Sequence, residues 1–208
     1  MKKIALLVFF VAAGLVAFSQ ESKTNAPETP KWKMRFRVLG AIPPASSYDL
    51  SGDDIKISTA VAPELDFTYF FNKHFAAELI LGTTKHTVKL DDGSSSTKLG
   101  KVWLLPPTVN LQYHFAGKAF TPYIGAGINY SIFYGAKKEA LDLGYKNNVG
   151  FSTQAGFDYQ LNEKWFLNLD LKKILLKTDV TIKGAIPVVL SDVKVNPFII
   201  GLGAGFKF

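Results

Sequence analysis

The dominant pattern along this chain is alternation. Between Thr121 and Tyr134, Pro122, Ile124, Ala126, Ile128, Tyr130, Ile132 and Tyr134 share one parity, while Tyr123, Gly125, Gly127, Asn129, Ser131 and Phe133 share the other. Val149 to Leu161 repeats the arrangement, with Val149, Phe151, Phe157 and Tyr159 opposed by Gly150, Ser152, Gln154 and Asp158. Successive side chains of a strand point to opposite faces, so each segment predicts a strand with one apolar face and one small or polar face. The same period places strands at about 32–42, 60–72, 75–85, 104–115 and 194–208, and one more from Trp165, which makes eight. In the strand from Trp165 the apolar set Leu167, Leu169, Leu171 changes phase at Lys173 and continues as Ile174 and Leu176, which predicts a β-bulge.

The connections sort by length. Three are short (72–74, 116–120 and 162–164) and four are long (roughly 43–59, 86–103, 135–148 and 178–193), and the two kinds alternate. Short turns at one end and long loops at the other mark a transmembrane β-barrel, and an even strand number puts both termini at the short-turn, periplasmic end. Hydrocarbon offers no hydrogen-bond partners, so a spanning sheet must close and leave no edge. Trp32, Phe71, Phe75, Tyr113, Phe115, Tyr159, Trp165, Phe206 and Phe208 cluster near the short turns, with Trp103, Tyr130, Tyr134 and Phe151 near the other end, as two interfacial girdles require. The expected fold is therefore all-β: an eight-stranded antiparallel up-and-down transmembrane barrel over 32–208, in a bacterial outer membrane. A soluble lipocalin-like barrel or sandwich also alternates. Against it, Arg35, Arg37, Glu64, Asp66, Glu78, Asp158, Asp170 and Lys172 all share the polar parity, which a barrel interior can pair as a lumen charge network.

The N-terminus changes the picture in one respect. Lys2 and Lys3 precede an apolar and small-residue run from Ile4 to Phe18, with Ala17 and Ser19 spaced as a cleavage site, so residues 1–19 read as a signal peptide and 20–31 as a flexible periplasmic leader. With 24 Lys+Arg and 17 Asp+Glu the net charge is +7, and losing Lys2 and Lys3 leaves 22 − 17 = +5. These charges are scattered, without the basic run that marks a nucleic-acid patch. The chain has no cysteine, which excludes disulfides, thiolate metal sites, a Cys nucleophile and a lipoprotein anchor. No cofactor or metal motif stands out.

Several stretches then become recognisable. Leu105-Pro106-Pro107-Thr108 followed by Leu111-Gln112-Tyr113, then Pro122-Tyr123-Ile124-Gly125-Ala126-Gly127-Ile128-Asn129-Tyr130, resemble the OmpW family of outer-membrane proteins. Gln154–Tyr159 and the ending Asn196-Pro197-Phe198 through Phe208 agree, so the resemblance runs from about 32 to 208. It implies an eight-stranded barrel carrying small hydrophobic or amphipathic molecules across the outer membrane. The terminal Phe208, after alternating apolar residues, resembles the signal read by the barrel-assembly machinery. Two departures stand out: residues 135–148 share little with the family, and the mid-barrel inward position 172 is Lys rather than a bulky aromatic.

The interior admits two readings. An eight-stranded barrel is just wide enough for side chains to fill it, so Arg35 and Arg37 paired with the acids would plug the lower half. Inward Ile80, Phe133 and Ile199, with Lys172, would line a narrow pocket above; inward glycines such as Gly156, Gly203 and Gly205 make room, either for a lumen or for large side chains opposite. Other classes fit less well. A lipid-modifying enzyme needs a Ser–His pair, but only His74, His86 and His114 exist, assigned to a turn, a loop start and an inward filler, and no GxSxG elbow occurs. A structural or adhesive barrel would act through its loops. There Asp91-Asp92-Gly93-Ser94 reads as a turn rather than a calcium site, and Lys85, Lys89, Lys98 and Lys101 read as solvated charges or as contacts to lipopolysaccharide phosphates.

Overall fold

The structure, a computed structural model, describes residues 31–45, 47–50, 53–115, 117–183 and 187–208. The expected signal peptide and the leader up to residue 30 lie outside the described residues. In chain order the strands are β1 (Trp32–Ile42), β2 (Tyr48–Leu50), β3 (Asp53–Ile57), β4 (Ala60–Phe70) and β5 (Phe75–Gly82). They continue as β6 (Thr84–Asp91), β7 (Ser96–Leu105), β8 (Thr108–His114), β9 (Phe120–Lys138) and β10 (Asp142–Tyr145). The last are β11 (Asn148–Gln160), β12 (Trp165–Leu175), β13 (Lys177–Lys183), β14 (Val188–Lys194) and β15 (Phe198–Lys207).

Eight of these close into a barrel in the order β1–β4–β5–β8–β9–β11–β12–β15 and back to β1, each neighbour antiparallel. At the seam the N–H groups of Trp32 and Phe208 donate to each other's carbonyls at 3.2 and 3.0 Å. Two of the short turns use one device: Asn72 Oδ1 accepts from the N–H of His74 and Phe75, and Asn162 Oδ1 accepts from the N–H of Lys164 and Trp165. The Asn side chain thus replaces a backbone acceptor where the chain reverses.

Outward side chains of the barrel are apolar and uncovered by protein: Phe36, Phe151 and Leu202 are 58%, 65% and 63% exposed, tolerable only against lipid. Eleven-residue strands such as β1 rise about 3.3 Å per residue and tilt about 40°, so they cross roughly 25–28 Å, the height of such a band. The lower girdle is a chain of ring contacts, among them Trp32–Tyr69–Phe71, Phe75–Tyr113–Phe115 and Trp165–Phe206–Phe208.

Two expectations need correcting. The four long links carry strands of their own. Above the barrel, β2–β3–β6–β7 and the upper end of β9 form one sheet, and β10–β13–β14 form another. The bulge expected at Lys173 is absent: Lys172, Lys173 and Ile174 pair with Gln154, Thr153 and Ser152 in unbroken register. Lys172 and Ile174 both point inward and are buried. The phase change therefore records a change in what the interior accepts, from ionic below to apolar above.

Candidate functional site

The lower interior is filled by a continuous ion-pair network. Arg35 lies fully buried, its Nε donating to Asp66 at 2.7 Å and its Nη2 to Glu78 at 2.5 Å. Arg37, also fully buried, pairs with Glu64 at 2.8 Å and Asp66 at 2.7 Å, and donates to Asn168 at 3.0 Å. Lys33 holds Asp158 at 2.8 Å, and Lys172 bridges Glu64 at 2.7 Å and Asp170 at 2.9 Å. Uncharged donors add to the shell: Tyr123 and Gln154 each donate to Asp170 at 2.7 Å. Buried charges persist only when paired and hydrogen-bonded, and these are.

Glycines opposite make that filling possible. A Cβ on Gly205 would collide with the Phe166 ring and come within 2.7 Å of Arg35 Cγ, and one on Gly156 would meet the Tyr123 hydroxyl at 2.5 Å. These two positions thus admit large side chains and leave no lumen. Within this lower half the barrel is packed.

Above Lys172 the lining changes. A cavity of about 50 Å³ sits on a floor of Glu64 and Lys172, lined by the apolar Leu39, Ile80, Ile174 and Ile199 and by the polar Thr84, Thr108, Asn129 and Ser131. Over it, a cavity of about 40 Å³ lies between the two upper sheets, walled by Val88, Val102, Phe133, Val180 and Leu190. His86, Leu104 and Val195 line both and form the partition. His86 is held there by Ser58 O at 2.8 Å and Thr84 Oγ1 at 2.9 Å. The upper space is a core in its own right: Ile55, Val88, Leu99 and Val102 of one sheet pack on Leu143, Val180, Leu190 and Val193 of the other. At roughly 10–15 Å³ per water, each cavity has room for only a few waters, and the apolar walls of the upper one keep such a space dry.

The barrel wall thins at the height of the lower cavity. The β4–β5 ladder stops at Glu64–Gly82, and backbone bonding resumes where the Ser58 N–H donates to Thr87 O at 2.9 Å, beside the Ile57–Val88 pair of β3 and β6. In between, Ala60, Val61, Ala62 and Pro63 pair with β1 alone among the described ladders. On the other side of β5 and of β6, which follows it, the ladder skips from Ile80–Thr108 to Thr84–Leu104, past Pro106 and Pro107. Proline lacks the N–H that a ladder needs, so Pro63, Pro106 and Pro107 weaken closure at this level.

Of the residues singled out in the sequence, Arg35, Arg37, Glu64, Asp66, Glu78, Asp158 and Asp170 come together in the plug, and Ile80, Ile199 and Lys172 around the lower cavity. Phe133 lies higher, at the upper cavity. His86 is not the start of a loop but a buried strand residue. Among the described residues, none of the three histidines bonds a serine hydroxyl: His74 and His86 face backbone carbonyls and Thr84, and His114 faces Gln112. Sequence reasoning missed Lys33, Tyr123 and Asn168 in the plug, and the whole upper apolar core. Alternation in Thr84–Leu90 and Lys177–Lys183 carried the signal for that core, inside segments read as loops.

Comparison with known proteins agrees with this architecture. Residues 34–208 match the OmpW family. The chain is 42% identical to an uncharacterized outer-membrane protein, y4mB, of Sinorhizobium fredii, over 98% of this chain and 94% of that one. It is 29% identical to outer membrane protein W of Vibrio cholerae, over 84% and 87%. Among solved structures it resembles the crystal structure of OprG from Pseudomonas aeruginosa, with a TM-score of 0.79 at 26% identity over 89% of this chain and 99% of that one. It also resembles the solid-state NMR structure of AlkL in lipid bilayers, with a TM-score of 0.67 at 25% identity over 91% and 95%. This chain belongs to the OmpW family of bacterial outer-membrane β-barrel proteins.

Proposed function

We propose that the barrel is a narrow conduit for small hydrophobic or amphipathic solutes, which pass from the loop end through the upper cavity to the lower one and leave sideways into the bilayer. The observation supporting this most directly is the switch of the lining from apolar to ionic at Lys172. An apolar solute is stabilised down to that level and opposed below it, where room exists only by breaking buried ion pairs. The thinned wall beside Gly82 and Pro63 lies at the same height and opens toward lipid. Both cavities are small, so admission requires the two upper sheets to part and the His86 partition to shift.

Uptake of a lipophilic fluorophore into proteoliposomes tests the proposal, with the acceptor in the bilayer. If the β4–β5 ladder continued, Ala62 and Thr84 would be its next inward pair. In this cysteine-free chain, Ala62→Cys with Thr84→Cys should staple the gap, slow uptake when oxidised and restore it on reduction. Uptake no faster than in protein-free liposomes would leave a plugged structural or adhesive barrel as the reading. Unchanged uptake in the stapled form would move the exit elsewhere. The terminal strand ending at Phe208 is the segment we assign to the barrel-assembly machinery.

A further inference from the structure

The two upper sheets treat their outward cations differently. On the β10–β13–β14 sheet and its edges, lysines are matched with acids: Lys146 with Asp179 at 3.2 Å, Lys177 with Asp192 at 3.3 Å and Lys183 with Asp142 at 3.5 Å. One like-charge pair occurs there, Lys177 opposite Lys194, beside Asp192. The β3–β6–β7–β9 sheet is built otherwise. Lys89 lies between Lys56 and Lys98 as its direct cross-strand partners, and Lys101 lies opposite Lys137. Like charges placed directly opposite destabilise a sheet. Lys56 is relieved by Asp91 at 2.7 Å and Lys101 by Glu139 at 2.5 Å, whereas Lys85, Lys89 and Lys137 have no acidic partner among the described residues.

The height of these cations is informative. Lys85, Trp103 and Tyr134 form one cross-strand row on the outward face, with Lys85 Nζ 5.4 Å from the Trp103 ring and the Trp103 and Tyr134 rings stacked at 6.2 Å. Tyr134 also bonds Thr83 at 2.7 Å. Such aromatics sit at the membrane–water interface. The row of Thr87, Lys101 and Lys137 is next above it, and the row of Lys56, Lys89 and Lys98 next again. Each step of two residues rises about 6.6 Å along a tilted strand, or roughly 5 Å in height. The cations therefore begin at the aromatic girdle and rise about 10 Å above it, through the layer where lipid headgroups lie. Beyond them comes an acidic row, Asp54 opposite Asp91, on the solvent side.

We propose that this sheet face binds the phosphates of a phosphorylated glycolipid of the outer leaflet, with Lys85, Lys89, Lys98, Lys101 and Lys137 as its cations and Trp103 and Tyr134 against its sugar and acyl boundary. A phosphate group set among these lysines turns two repulsive cross-strand pairs, Lys89–Lys98 and Lys101–Lys137, into charge-assisted hydrogen bonds. The binding is independent of whether solutes pass through the lumen.

The test uses the full chain in phosphatidylcholine nanodiscs, with bisphosphorylated lipid A as probe and native mass spectrometry or tryptophan quenching as readout. Bound lipid A is expected, weakened at least tenfold by enzymatic removal of its phosphates and equally by Lys85→Ser, Lys89→Ser and Lys101→Ser together. Lys146→Ser, Lys177→Ser and Lys183→Ser, on the other sheet, should leave it unchanged. Without lipid A, Lys89→Ser should raise the urea midpoint by relieving repulsion; with it, the parent should gain more than the variant. Equal binding by parent and triple variant would overturn the proposal. So would competition by phosphatidylglycerol at the same phosphate concentration, which would reveal only a diffuse attraction to anionic lipid.

Discussion

Replacing Arg37 with Met tests the plug as a structural element. Arg37 lies 2.8 Å from Glu64, 2.7 Å from Asp66, 3.3 Å from Glu78 and 3.6 Å from Asp170, with no solvent contact. Four cations (Lys33, Arg35, Arg37, Lys172) face five carboxylates (Glu64, Asp66, Glu78, Asp158, Asp170), so the change moves the balance from 4 against 5 to 3 against 5. Breaking a buried pair by removing one partner costs about 3–5 kcal/mol. The lower end of that range applies, because each acid keeps a second cation: Lys172 for Glu64 and Asp170, Arg35 for Asp66 and Glu78. Urea unfolding of the protein in lipid vesicles, followed by tryptophan fluorescence, measures the loss. Adding Asp66→Asn should make the double variant lose less than the sum of the two single changes, since the sites share partners. Lys146→Met, at a pair whose lysine is 72% exposed, should change stability by less than about 1 kcal/mol. An Arg37→Met protein as stable as Lys146→Met would refute the reasoning.

Other outcomes follow from the same geometry. Val180→Asp puts a charge into the apolar core between the upper sheets, with several kcal/mol of desolvation to absorb; limited proteolysis should then cut the segments above the barrel while the transmembrane strands stay protected. Gly205→Leu has no space beside Phe166 and Arg35, so folded yield from urea into vesicles should fall sharply, whereas Gly40→Ala, with nothing within 4 Å, should fold as the parent does. In the turn after β6, the N–H groups of Ser95 and Ser94 donate to Asp92 at 2.6 and 2.9 Å and hold its carboxyl below the usual range. A depressed folded value stabilises the turn above the ordinary carboxylate pKa of about 3.9 and ceases to do so as pH falls through the folded value. The amide shifts of Ser94 and Ser95 should therefore move together in that acid window and stay constant near neutrality.

The barrel was legible because lipid and lumen impose opposite chemistry on alternate residues, so that β1, β9 and β11 announce both their period and their faces. The plug was legible in its charges, because Arg35, Arg37, Asp66 and Asp170 share a parity that only a closed interior explains. Tyr123 was missed because an aromatic on a face of glycines looks like a gap in the pattern; its partner Asp170 lies 47 residues away in sequence. The upper sheets were missed for a different reason. In segments such as Lys177–Lys183, Lys177, Asp179, Thr181 and Lys183 alternate with Thr178, Val180 and Ile182, a pattern of half-buried strand facing water, which reads as a polar loop when lipid-facing strands are the standard. The phase change at Lys173 was seen but attributed to a bulge. It marks the level where inward residues turn from ionic to apolar.

The most direct test of lateral release is photolabelling during uptake by a small aliphatic diazirine, with the modified residues mapped by mass spectrometry. Labels are expected on inward residues down to the lower cavity, at Val102, Phe133, Leu104, Ile80 and Ile199, and then at the wall near Ala62 and Thr83. Labels on Gln112, His114 or Phe166, beneath the ion pairs, would mean that solute crosses the plug, and the account of a sideways exit would be wrong.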